Sequence, residues 1–482
     1  MAAACLRFSL IGDKSLWVDE AMSIAISRTE WRDFIHVTTR SELNMSFYHV
    51  LLHLWLRAGS SEAWIRGLSA AFSLVTLPMI YVMGKQLISR QAATLAASLI
   101  AIHAIHIQYA QEARSYSLFV LLVAVSWWLF LRCTLRPGLW NLVFYTIANI
   151  LLAYTHFYGL LTIPSQIIAL LIIRPPRGWR CAVAIFISLL CSSPIAVFLA
   201  TRNVGQANWI YERPGINLPD ILYALSGSFY EANRAWADVL AGIYGVSIVG
   251  GCAIWWRRSR PNQVSVVVIM AGFFVPLGLA LAGALVKPLF LPRYLLVCLP
   301  PFVLLATFGL SQFPMSLRTC MFAITLVTSI CADGYYFSNL EKEEWRSVCQ
   351  SLIKQARPSD TIILYAPMAR WPVEYYAKRM GRPELLSMIA YPRWNASFEM
   401  NGEYAYSRHF PLPDVALAER VAARNQRVWL ILSHDGFERL GRVAVSRNLQ
   451  ALLRSYFGQP HERLFYGVKV ILYDQQAKRS DG

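Results

Sequence analysis

The chain has 482 residues, 56% of them hydrophobic and only 15% charged, with a mean hydropathy of +0.41 and a formal net charge of +17. Soluble domains carry about a quarter charged residues. A wholly soluble protein is therefore excluded, and the apolar excess lies in the first two thirds, in stretches of the roughly 20 residues that cross a bilayer. Nor does the basic balance point to nucleic acid. Lys85, Arg90, Arg132, Arg136, Arg174, Arg177, Arg180, Arg257, Arg258, Arg260 and Arg318 fall in five short turns that hold no Asp or Glu, which is the positive-inside pattern of a multi-pass membrane protein.

In chain order, residues 1–12 (MAAACLRFSLIG) are too short and too polar to span. They read as the stub of a truncated first span, because the loop that follows would otherwise be exported with no hydrophobic segment before it. That loop, 13–62, carries apolar residues at helical spacing over 17–35 and 46–59, with Trp17, Trp31 and Trp55. Such a pattern suits short helices at the membrane surface. Ten spans follow, near 63–84, 93–110, 116–131, 140–156, 158–173, 181–199, 238–256, 264–286, 294–310 and 319–336. With Lys85 and Arg90 inside, the outer face receives 13–62, 111–115, the turn at His156–Tyr158, the loop 200–237, 287–293 and everything after 337. The 200–237 loop, with Trp209, Tyr211, Tyr230 and Trp236 broken by Pro214 and Pro219, resembles the first loop in character.

After Gly334 the composition changes, and 337–482 hold 15 of the 28 acidic residues. Segments 361–367, 427–433 and 468–474 read as strands, and 341–356, 371–380, 413–424 and 447–457 as helices. The alternation predicts a small α/β domain. No glycine-rich phosphate loop follows a strand, which argues against ATP as an energy source. The nine cysteines show neither metal spacing nor a disulfide framework.

Three clusters carry candidate chemistry, all on the outer face. Asp19 and Glu20 lie in SLWVDEA, where apolar neighbours favour partial burial and a raised carboxylate pKa suited to a general base. Adjacent residues do not share a helix face, so Asp19 is the expected base and Glu20 its structural or metal-facing partner. In HAIHIQYAQEARSYS (103–117), His103, His106, Gln111, Glu112, Arg114 and Tyr116 concentrate polarity at a span end, where polar groups are costly unless they serve a function. A histidine pair three apart is a weak metal signal. In VKPLFLPRYLL (286–296), Lys287, Arg293 and Tyr294 stand at headgroup level, suited to an anionic lipid phosphate. His156 and Tyr158 form a fourth, weaker group.

The ordered set SLWVDEA, NMSFYHVLLHLW, the QEARSYSL that follows the histidines, and FLPRYLL resembles the membrane glycosyltransferases of the GT-C superfamily. The nearest likeness is to the bacterial relatives of protein O-mannosyltransferases and of the lipid A aminoarabinose transferase. The resemblance spans most of 13–310. It implies a polytopic all-α membrane domain over 1–336 and an extracytoplasmic α/β domain over 337–482. It further implies a bacterial inner-membrane enzyme with its site on the periplasmic side. A sugar would move from a polyprenyl-phosphate donor to a lipid, glycan or protein acceptor with inversion, with Asp19 as base and Glu112, Arg114, Tyr116, Lys287, Arg293 and Tyr294 at the donor. His103, His106, Gln111 and His156 would be accessory or acceptor residues. Some branches of the superfamily require a divalent metal and others do not. The alternative is a transporter or flippase for lipid-linked saccharides, which would place charges at midplane inside broken helices.

Overall fold

The computed structural model describes residues 1–40, 42–201, 218–229, 233–258, 263–286, 291–365, 367–382, 388–391, 415–435 and 442–475. Lys287, Trp209, Tyr211, Pro214 and Tyr230 lie outside them. Contacts divide the chain into two compact units. The described residues of the first fall within Met1–Ile11, Leu43–Arg202 and Pro214–Leu340, and those of the second within Gly12–Glu42 and Glu341–Gly482.

The first unit is all helical. A short α1 (Ala2–Phe8) belongs to it, and α2 (Val18–Ser27) and α3 (Trp31–Arg40) belong to the second unit. The first unit then continues with α4 (Ser46–Trp55), α5 (Glu62–Leu87), α6 (Arg90–Ala101), α7 (Ala104–Ala110), α8 (Tyr116–Leu135), α9 (Leu139–Thr155), α10 (Thr162–Ile173), α11 (Gly178–Thr201), α12 (Leu218–Ser226), α13 (Arg234–Arg258), α14 (Gln263–Val286), α15 (Leu299–Leu310) and α16 (Met315–Ser338). 3₁₀ segments at Phe157–Leu161 and Pro292–Cys298 lead into α10 and α15. All ten expected spans are helical. Among the described residues, seven are long and apolar enough to cross a membrane, two are shorter apolar helices, and one is a pair bent by 58°. Trp140, Phe186, Leu190, Val249 and Val327 are exposed on these helices, the side chains lipid would cover.

The bent pair corrects one expectation, since 93–110 reads as a continuous span. The break between α6 and α7 has a physical cause. The buried Arg7 guanidinium donates to the Ile100 and Ala101 carbonyls at 3.2 and 2.9 Å, satisfying groups at the end of α6 that the interrupted helix leaves over. His103 then caps α7, its Nδ1 accepting from the His106 N–H at 3.3 Å.

Close helix packing rests on glycine where α13 meets α15. A Cβ on Gly309 would stand 1.8 Å from the Ser247 carbonyl oxygen, and one on Gly251 would stand 2.1 Å from the Gly309 Cα. Small residues let membrane helices approach this closely.

The second unit carries a five-stranded sheet. Its elements after α3 are α17 (Trp345–Gln355), β1 (Thr361–Tyr365), α18 (Arg370–Arg379), β2 (Met388–Tyr391), α19 (Val415–Arg424), β3 (Arg427–Ser433), α20 (Arg442–Phe457), β4 (His461–Phe465) and β5 (Val468–Asp474). The strand order is β2-β1-β3-β5-β4. β1 runs parallel to β2 and β3, with Ile363 opposite Ile389 and Leu430, while β5 runs antiparallel to β3 and β4. Ile363, Val428, Leu430, Leu432, Ile471 and Tyr473 form a core with Leu449, Leu453 and Phe457 of α20 and Val421 of α19. β2 and β4 escape the sequence pattern: β2 has four residues, and β4 is a charged edge strand, mostly exposed.

The loop 13–62, expected to belong wholly with the membrane helices, is divided at Glu42. Its first part is tied to the sheet unit by hydrogen bonds. Arg346 donates to the Asp13 and Gly12 carbonyls at 3.0 and 2.7 Å, and the Tyr376 hydroxyl accepts from the Leu16 N–H at 2.9 Å.

Gly309→Ala should lower stability by about 1–3 kcal/mol, the usual cost of overpacking. The control is Gly278→Ala, whose added Cβ meets nothing within 4 Å. Thermal unfolding of the detergent-solubilised protein compares the two, and equal melting temperatures would refute the close-packing account.

Candidate functional site

In the membrane unit, three separate stretches of sequence converge on one aromatic and cationic cluster. Arg114 lies in the buried turn between α7 and α8, its N–H donating to the Glu112 carbonyl at 2.8 Å. The turn is anchored from α5, where Ser69 Oγ donates to the Arg114 carbonyl at 3.2 Å and lies 3.0 Å from the Tyr48 hydroxyl of α4. Arg293 and Tyr294 sit in the first turn after Leu291, where Pro292 sets the entry to the 3₁₀ segment. The Arg293 guanidinium carbon lies 5.8 Å from the ring centres of both Tyr116 and Tyr294, within cation–π range. Tyr294 in turn meets His156 at 5.1 Å and Tyr158 at 5.0 Å, and His156 stacks on Phe119 at 4.8 Å. Both guanidinium groups are within electrostatic reach of His156 and Tyr294.

Beside Arg293 is a small cavity of about 50 Å³ lined otherwise by Ile105, Tyr109, Ala224, Leu225, Leu295, Leu296 and Leu299. A cation at the edge of an apolar cavity is chemically matched to a phosphate that carries a hydrocarbon chain. Tyr109, which packs on Tyr116 at 4.6 Å, was not singled out in the sequence. Its place within the 103–117 motif, two residues before Gln111, was the signal available.

The other polar residues of 103–117 have structural partners. His103 Nε2 is 2.9 Å from the Leu225 carbonyl. His106 Nδ1 is 3.0 Å from an Arg7 nitrogen. The Gln111 amide donates to the Leu6, Arg7 and Ser9 carbonyls and accepts from the Tyr336 hydroxyl at 3.1 Å. Glu112 is buried in the same turn as Arg114. His156 Nδ1 accepts from the Tyr158 N–H at 3.2 Å, capping the 3₁₀ segment that follows.

The acidic motif belongs to the second unit, at the N-terminus of α2. Glu20 is fully buried and accepts from Lys342 Nζ at 3.2 Å, whereas Asp19 is half-buried. The N-cap position is Trp17, whose side chain makes no capping bond. Glu343 supplies that function from far along the chain: its Oε2 accepts from the Val18 N–H at 3.3 Å and from the Trp345 indole at 2.6 Å. Its Oε1 stands 3.2 Å from His434 Nε2. Lys342, Glu343 and His434 carry no motif of their own, and only the fold links them to residues 18–20. Among the described residues, no group of three or more His, Cys, Asp or Glu could hold a metal ion.

Burial pushes the Glu343 carboxyl above the ordinary range, and Asp19 adds to the rise, while His434, Trp345 and the Val18 N–H pull the other way. A raised folded-state value gives stability that is fully present below the unfolded carboxyl value of about 4.3 and is lost as pH rises through the folded value. The wild type should therefore lose melting temperature relative to Glu343→Gln as pH rises from about 4 to about 7. Thermal unfolding across that range checks the sign, and a pH-independent difference would contradict it.

No protein-family model matches the chain, and no curated protein is similar to it in sequence. Solved structures do share its fold. ArnT from Cupriavidus metallidurans bound to undecaprenyl phosphate superposes with a TM-score of 0.59 at 12% identity, over 98% of this chain and 96% of that one. The Archaeoglobus fulgidus oligosaccharyltransferase in complex with Zn and sulfate gives 0.55 at 13% identity, over 99% of this chain and 72% of that one. AglB from the same organism, in complex with an inhibitory peptide and a dolichol-phosphate, gives 0.52 at 12% identity, over 98% and 73%. These neighbours are glycosyltransferases of the GT-C superfamily, and the chain has the GT-C fold that its ordered motifs led us to expect.

Proposed function

We propose that this chain is a glycosyltransferase of the bacterial inner membrane, working on the periplasmic face. It moves a sugar from a polyprenyl-phosphate donor to a cell-envelope acceptor, a lipid, glycan or protein hydroxyl. The observation that carries the reading is Arg293 lining an apolar cavity, with the Tyr116 and Tyr294 rings near its guanidinium and His156 packed on Tyr294. That combination suits a lipid phosphate. The fold it shares with ArnT, solved with undecaprenyl phosphate bound, supports the same donor class.

In the proposed step, Asp19 takes the proton of the acceptor hydroxyl as the acceptor oxygen bonds to the sugar C1 from the face opposite the phosphate. The C1–O bond to phosphate breaks, and its electron pair leaves on the phosphate oxygen. Polyprenyl phosphate is released and the configuration at C1 inverts. Arg114 and Arg293 stabilise the charge on the departing phosphate, with Lys287 assigned to the same role. Glu20 is held by Lys342 and acts as a structural partner.

The transporter reading keeps one supporting observation, the broken α6–α7 span, near which Arg7 is buried. Transfer assays separate the two. The purified protein is given undecaprenyl-phosphate-linked hexoses or aminoarabinose with envelope acceptors, and released undecaprenyl phosphate is measured. Asp19→Asn should lower release by about 10²–10⁴-fold, the usual worth of a general base, and leave undecaprenyl phosphate binding unchanged. Wild-type turnover in that variant would eliminate Asp19 as base, and lipid translocation without transfer would favour the transporter. Arg293→Ala should weaken undecaprenyl phosphate binding roughly tenfold or more, as expected for a lost charged hydrogen bond. Unaltered affinity would remove Arg293 from the donor site.

A further inference from the structure

The sheet of the second unit has a topological switch point. β1 is flanked by β2 on one side and β3 on the other. The chain leaves β1 through α18 toward β2, and leaves β3 through α20 toward the far edge. In sheets wound this way, ligands bind in the crevice outside the carboxyl ends of the two central strands. In this chain that crevice holds the chain's own acidic motif. Directly after β3 comes His434, in the left-handed conformation at φ 56°, with Nδ1 2.8 Å from Ser433 Oγ and Nε2 3.2 Å from Glu343 Oε1. Helix α2 packs on α18 and on the 3₁₀ turn Pro367–Ala369 that follows β1.

We infer that Glu343 and His434 are positioning residues for the acidic motif, with the carboxyl end of the sheet serving as its mount. The inference rests on the proposed role of Asp19 as base. Glu343 fixes the first turn of α2 through the Val18 N–H, directly before Asp19. His434 and the Trp345 indole fix Glu343 from two sides. Lys342, the residue before it, fixes Glu20. The mount is closely fitted: a Cβ on Gly467, in the β4–β5 turn, would stand 2.9 Å from the Glu343 Cγ. A left-handed His434 is also the kind of strained backbone that clusters at functional positions.

The test reads turnover and local order together, in the full-length protein with the donors above. Glu343→Ala should lower kcat by about tenfold or more with donor KM within about twofold, because a displaced catalytic group costs rate rather than binding. Hydrogen exchange in the peptide covering residues 13–24 should quicken. Glu343→Gln should recover most of kcat, since its amide oxygen still accepts from Val18 and Trp345. His434→Asn tolerates the left-handed backbone and should give a smaller fall in kcat with faster exchange in the same peptide. If Glu343→Ala does not fold, His434→Asn decides. Wild-type kcat and exchange in the folded variants would overturn the inference, as would a loss confined to KM. If Asp19→Asn keeps wild-type turnover, the base assignment fails instead, and the exchange data still decide whether Glu343 orders the motif.

Discussion

Helix α2 begins without a cap of its own. Its first amides need acceptors, Trp17 cannot supply one, and the carboxylate that does is Glu343, 325 residues away in sequence. Much of the second unit follows from meeting that need. The extended segment before α2 is threaded between Arg346, which takes the Gly12 and Asp13 carbonyls, and Tyr376, which takes the Leu16 amide. The β4–β5 turn closes on the same stretch, the Glu344 amide donating to the Tyr466 carbonyl at 3.0 Å while its carboxylate accepts from the Tyr466 amide at 2.8 Å. The first part of a loop that reads as belonging to a membrane domain, up to Glu42, thus groups with the sheet, which holds its hydrogen-bond partners.

The same accounting governs polarity inside the membrane unit. Breaking a span releases carbonyls that lipid cannot satisfy, and Arg7 meets that demand at Ile100 and Ala101. It also reaches Ser73 Oγ at 2.6 Å and His106. The polar run 103–117 therefore has two parts with different causes. His103, His106 and Gln111 complete the break and secure the α1 segment. Arg114 and Tyr116, beyond them, join the aromatic cluster around Arg293.

This division explains what the sequence could disclose. The helices of the membrane unit were legible because they carry apolar residues along their length, a local signal that hydropathy reads directly. The strands β1, β3 and β5 were legible as runs of Ile, Leu and Val. β4 was not, since HERLF lies on the sheet edge and its side chains face water. The break at 102–103 was hidden because its cause, Arg7, is remote in sequence. Arg114 stood out because polar residues crowd the end of an apolar segment, and Arg293 because a lone basic residue on the expected outer face runs against the charge rule. Lys342, Glu343 and His434 violate nothing in a charged segment, and only the bonds of Lys342 and Glu343 to residues 18–20, and of His434 to Glu343, mark them.

The pairing of Glu20 also bears on which acid is the proposed base. A buried carboxylate matched to a buried ammonium resists losing that match, since removing one charge strands the other. Glu20 and Lys342 are such a pair, with side chains 0% and 8% exposed. Accepting a proton at Glu20 would cost this pair its charge match. Asp19, about 100° around the helix, is half-buried instead and lies outside that pair. The adjacency of the two acids then has a physical rationale. Glu20 turns inward and fixes the rotation of α2 about its axis, and that rotation determines the direction in which Asp19 is presented.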